Sequence, residues 1–116
     1  MNLLLRPESI KPQFIYFSDA KPNVLFDGIF TKINYCNDFF TMYGMHISLN
    51  NIKYDTIHNI ETVILDAYME YTGKPVIKNY KLSNDKILLH SVSRPSVKIS
   101  GVWENKNGEI GISYKL

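Results

Sequence analysis

The chain has 116 residues, 45% of them hydrophobic and 21% charged, with a formal net charge of +2. That balance predicts one folded domain, excludes a disordered chain, and is too weakly basic to argue for nucleic acid by itself. No apolar run is long enough to span a membrane, and the single cysteine, Cys36, excludes an internal disulfide.

The opening "MNLLLRPESIKP" has an apolar run too short for a signal-peptide core, so an intracellular location is expected. These first dozen residues are the candidate loose segment. "QFIYFS" (13–18) reads as a short strand closed by "DAKPN". In "VLFDGIFTKINY" (24–35), Leu25, Ile29 and Ile33 fall on one face, and Val24, Phe26, Phe30 and Lys32 on the other. Gly28 inside this run suggests a bulge or sharp bend. After a turn at "CND", "FFTMYGMHISL" (39–49) alternates too. It sets Phe39, Tyr43, Met45, Ile47 and Leu49 against Phe40, Met42, His46 and Ser48. Cys36, beside that turn, reads as a plain thiol.

"YDTIHNIETVILDAYMEYTGKP" (54–75) changes period. Ile57, Ile60, Ile64, Ala67, Tyr68 and Tyr71 recur at three- and four-residue steps, predicting an amphipathic helix over about 55–72. Asp55 or Thr56 is the candidate N-cap, and Gly73 and Pro75 supply the stop. Glu61, Asp66 and Glu70 read as the helix's solvated face. Beyond it, "PVIKNYKL" (75–82) and "KILLHSV" (86–92) read as strands. The last segment, "VKISGVWENKNGEIGISYKL", reads as a hairpin. Val97, Ile99, Gly101 and Trp103 share one face of its first arm, and Ile110, Ile112, Tyr114 and Leu116 one face of the second. Lys98 and Lys115 point the other way. Asn107-Gly108 suits a type I′ turn.

A meander, one helix and further strands predict a mainly β fold with one helix. Two architectures have that order: an OB-like five-stranded antiparallel barrel, or a twisted antiparallel sheet packed on one α-helix.

Charge is segregated along the chain. Residues 54–73 hold Asp55, Glu61, Asp66 and Glu70 and no Lys or Arg. Residues 74–103 hold Lys74, Lys78, Lys81, Lys86, Arg94 and Lys98 against Asp85 alone. Single-strand binding needs cations along a groove and aromatic faces on which bases stack. Trp103, Tyr80 and Phe40 are the candidate stacking platforms. Lys32, Lys78, Lys81, Arg94 and Lys98 are the candidate phosphate contacts. Against this, Phe is usually core, strand lysines often only protect sheet edges, and Trp103 reads slightly better as a plug at the barrel's end.

His46, His58 and His90 have no metal-ligand spacing, no nucleophile or phosphate-loop motif occurs, and no cofactor is expected. An acidic helix and basic strands also make a self-complementary surface, so a homo-oligomer is the rival reading. The 14 Ile, 11 Lys, 11 Asn and 8 Tyr against 2 Ala suggest an AT-rich genome, as of a virus or low-GC microbe.

From "NYCNDFFTMYGMHISL" to the end, through "YGMHISL", "IETVILDAY" and "ISGVW…GISYKL", the chain resembles small single-stranded DNA-binding or replication-associated proteins of large DNA viruses and phages. The resemblance implies an OB-like nucleic-acid-binding domain without enzyme activity, working in an infected cell's cytoplasm or nucleus. Many single-strand binders carry an acidic C-terminal tail, and this sequence ends at "SYKL" without one. The function expected is sequence-tolerant binding of single-stranded DNA or RNA. The alternative is a non-enzymatic viral structural or host-interaction protein that self-associates through a strand edge or helix face.

Overall fold

A computed structural model describes residues 4–23, 28–49, 54–85 and 96–115. Within them the chain forms β1 (Ile15–Phe17), β2 (Lys21–Pro22), β3 (Gly28–Cys36), β4 (Thr41–Tyr43), β5 (Met45–Ser48), α1 (Tyr54–Thr72), β6 (Ile77–Lys78), β7 (Ser96–Asn105) and β8 (Glu109–Lys115). Two short 3₁₀ turns, Pro7–Ser9 and Pro12–Phe14, precede β1. The strands make one sheet in the order β1-β3-β7-β8-β6, with β2 and β4 also on β3 and β5 also on β7.

β7 is the hub. One edge pairs with β3 (Gly28↔Asn105 to Lys32↔Gly101) and then with β5 (Met45↔Ile99 to Ser48↔Ser96), while β8 lies along the other. β4 begins against β3, with Met42 opposite Tyr35, and its continuation β5 ends against β7, with Ile47 opposite Val97. The transfer happens at Gly44, whose φ is +80° and whose N–H donates to the Ile33 carbonyl at 2.8 Å. A side chain there would be strained, and its Cβ would lie 2.9 Å from the Ile99 carbonyl oxygen. This crossing curls the sheet into an open half-barrel packed on α1, the OB-like α+β arrangement. The sheet stays open, and β6 pairs with β8 in parallel.

The helix matches its predicted span. Ile57, Ile60, Ile64, Leu65 and Tyr68 are buried against the sheet's inner face, which contributes Ile33, Tyr35, Met45, Ile47, Ile99, Val102, Ile110 and Ile112. Asp55 sits inside the first turn rather than capping it, and Gly73 closes the end by donating to Met69.

Four local expectations change. Phe39 and Tyr43 are 91% and 76% exposed while Met42 is buried, because the turn at Gly44 inverts the alternation between β4 and β5. A bulge between Ile99 and Gly101 does the same in β7: Val97 and Ile99 face inward, and Gly101 and Trp103 face outward. The β7–β8 loop has three residues, the Gly108 N–H donates to the Asn105 carbonyl at 3.2 Å and Gly108 has positive φ (+79°), the glycine-bulge hairpin rather than type I′. The strand expected at 75–82 shrinks to Ile77–Lys78 before a turn through Lys81–Asn84. The expected strand at 86–92, and Val24 to Asp27, lie outside the described residues.

Glu61 is the largest departure. Expected in solvent, it is fully buried, and its carboxylate accepts the backbone N–H groups of Leu82 (2.9 Å) and Ser83 (3.0 Å). Two charge-assisted hydrogen bonds compensate its burial and hold the turn after β6 against the helix.

Candidate nucleic-acid interface

Strand register sorts the side chains into two faces. Thr31, Val102 and Ile112 are opposite one another and buried under α1. One residue along, Phe30, Trp103 and Gly111 are opposite one another on the outer face. Lys32, Gly101 and Ser113 form the next outer row, and Lys98 and Lys115 face each other beyond the bulge. Lys21 lies opposite Phe30, and His46 opposite Lys98.

Two glycines shape the centre of this face. A Cβ on Gly111 would lie 2.3 Å from Cζ2 of Trp103, and one on Gly101 would lie 2.7 Å from Cζ of Phe30. Each ring therefore lies across a bare stretch of neighbouring strand. Both aromatic residues are half-buried.

Lysines surround the rings, while Asp85, which accepts from the Tyr114 hydroxyl, borders the cavity beside Trp103. Lys21, Lys32, Lys98 and Lys115 are exposed, and none has a carboxylate partner among the described residues. The carboxylates near the sheet are engaged elsewhere: Glu104 with Lys74 at 3.0 Å, and Asp66 with Lys78. Like charges directly opposite across a strand pair are unfavourable, so Lys98 and Lys115 raise the local positive potential at a cost to the fold.

Of the expected contacts, the structure brings together Lys32, Lys98 and Trp103. Trp103 is half-buried and lies outside the core cluster of the described residues. Lys81 is exposed and borders a cavity of about 600 Å³ at the β8 edge, shared with Trp103, Ser113 and Tyr114. Phe40 is elsewhere: it packs inward, 6.3 Å from the Tyr35 ring. Tyr80 lies 4.6 Å from the His58 ring, against the core. Lys78 pairs with Asp66, whose hydrogen bond raises the ammonium's pKa, and sits opposite the inward-facing Ile110. Arg94 lies outside the described residues. The expectation passed over Lys21 and Lys115 as contacts and Phe30 as a platform. Strict alternation placed Phe30 and Lys32 on one face, and the bulge added Trp103 to it.

On the inner side, the Tyr68 hydroxyl donates to Glu104 at 3.1 Å, and burial, reinforced by Glu104, raises its pKa. Burial also raises that of Tyr114, whose hydroxyl donates to Asp85. Among the described residues no group of His, Cys, Asp and Glu could hold a metal ion, and no helix is long and apolar enough to cross a membrane. Comparison with protein families, with curated proteins and with solved structures gives no match to this chain.

Proposed function

We propose that the protein binds single-stranded nucleic acid across the outer face of its half-barrel, without catalysis and with little sequence preference. The observation that carries this reading is the outer row of Phe30 and Trp103, each lying over a glycine, flanked by lysines that have no carboxylate partner among the described residues. Aromatic rings on a sheet surface are platforms on which bases stack, and every base has a face that can do so. Lys98 and Lys115, unfavourable as a bare pair, gain a counterion when a phosphate lies between them. Lys21 and Lys32 extend the same track. The resemblance to replication-associated proteins of large DNA viruses and phages supports a role in handling exposed single strands in an infected cell.

The test is fluorescence anisotropy with a labelled single-stranded DNA of about thirty nucleotides, enough for two OB-sized sites or more. Duplex DNA and single-stranded RNA are the controls, each at low and moderate salt. Binding that prefers the single strand is expected, with a log–log salt slope of about −0.7 per phosphate contact. Absence of binding at low salt overturns the proposal.

A second reading is self-association, favoured by Phe39 and Tyr43 at the β3–β4 tip, the most exposed large hydrophobic residues described. Sedimentation velocity separates the two. A hydrophobic oligomer persists at high salt, whereas a nucleic-acid complex dissociates.

A further inference from the structure

β1 is an edge strand of the sheet. Among the described residues it pairs only with β3. The Ser18 N–H donates to the Lys32 carbonyl at 3.0 Å, so alternation along the antiparallel ladder turns the polar groups of Tyr16 toward β3 and those of Phe17 away from it. The Ile33 carbonyl confirms the phase, since it points to the opposite side and accepts from Gly44. The N–H and C=O of Phe17 therefore face outward, and beside them lies a groove of about 750 Å³ between β1 and α1.

The groove has an apolar floor and an acidic wall. Phe17 and Tyr71, with ring centroids 5.1 Å apart, line it with Ala67, and Tyr16 and Tyr71 are each 54% exposed. Asp66 and Glu70 come from the exposed side of the helix. Glu70 has no ion-pair partner among the described residues, while Lys78 pairs with Asp66. An open edge offers backbone hydrogen bonds, aromatic faces accept a lysine or arginine stem and its charge, and carboxylates favour cations over anions.

We infer that this groove docks an extended, lysine- or arginine-bearing polypeptide segment, which adds as a strand to β1 and sets a cationic side chain between Tyr16, Tyr71 and Glu70. The occupant is a basic peptide because the wall is acidic and the hydrogen-bonding edge is main chain. Nucleic acid, sharing the carboxylates' sign, is repelled from this face. The inference stands apart from the nucleic-acid reading, which uses the row of Phe30 and Trp103 rather than the groove between β1 and α1.

The experiment is a titration of ¹⁵N-labelled full chain with the peptide Lys-Thr-Lys-Val-Lys-Thr-Lys, followed by amide shifts and by hydrogen exchange at Phe17. Its counterpart with Glu in place of Lys is the control. The basic peptide is expected to shift the amides of β1 and of residues 63–71 and to slow exchange of the Phe17 N–H. Glu70→Lys, a surface change, is expected to weaken binding by about fivefold or more without altering the free spectrum beyond its neighbours. No shift at millimolar peptide overturns the inference, as does equal binding of the acidic peptide or binding indifferent to Glu70→Lys. Concentration-dependent shifts of these same amides without peptide overturn it in favour of a second copy of the chain.

Discussion

Thr31, Val102 and Ile112 form one row across β3, β7 and β8, and Phe30, Trp103 and Gly111 form the row beside it. The first is 0–1% exposed under the helix, and the second is half-open with rings resting on backbone. A one-residue step thus separates a row defined by shape from one defined by surface chemistry. Inner residues must fill space. Outer residues must keep it, because Gly111 and Gly101 leave the room the rings occupy.

The difference can be broken most forcefully from inside. Ile112→Ala is expected to cost about 3 to 4 kcal/mol, the transfer loss plus an unfilled cavity, measured by urea unfolding. Glu61→Ala comes next, at about 2 to 3 kcal/mol, because two buried N–H groups lose their acceptor. A cost below that of an ordinary surface change would mean that water replaces the carboxylate. On the outer row, Gly111→Ala is expected to cost about 1 to 2 kcal/mol by lifting the indole off its floor. Its signature is a red-shifted tryptophan emission, which Ile112→Ala in its folded form should lack.

Two smaller effects sharpen the contrast. Tyr68 and Tyr114 have raised pKa values in the folded state, so folding favours their protonated forms. Their contribution is fully present below the unfolded tyrosine value of about 10 and is lost as pH rises above it. The urea midpoint should therefore fall above about pH 10, and less steeply in Tyr114→Phe. A parallel fall in wild type and variant would assign the alkaline loss to other groups. Least in stability terms is Lys98→Gln. It should change unfolding by no more than about 0.5 kcal/mol, since it also relieves repulsion from Lys115, while weakening single-strand binding and flattening its salt slope.

Period was legible in the sequence, and interruption of period was not. The three- and four-residue steps from Ile57 to Tyr68 locate α1 because nothing breaks them, and Ile29 and Ile33 mark one face of β3 for the same reason. Alternation fails where Gly44 turns left-handed and where a bulge follows Ile99. Strict alternation therefore pairs Tyr43 with Met45 and Trp103 with Ile99, from which the fold separates them. The burial of Glu61 is not legible, because its carboxylate's partners are the backbone N–H groups of Leu82 and Ser83, which no side-chain pattern announces. The lysine track was half legible. Lys32 and Lys98 are visible as cations on strands, but what unites them with Trp103 is pairing across strands distant in sequence. Phe40, Lys78 and Tyr80 had the same local chemistry and went elsewhere.

The hub position of β7 bears on how the protein is made. β3 and β5 both wait for it, and it is the second-to-last strand in chain order. On the ribosome, the meander and helix emerge with the edges that β7 will cover still open and with the apolar faces of Ile33, Met45 and Ile64 lacking their main partner. The fold cannot close by accretion from the N-terminus. It closes late and at once, when β7 lies along β3 and β5 together and β8 follows on its other edge, and the nascent chain must stay unaggregated until then.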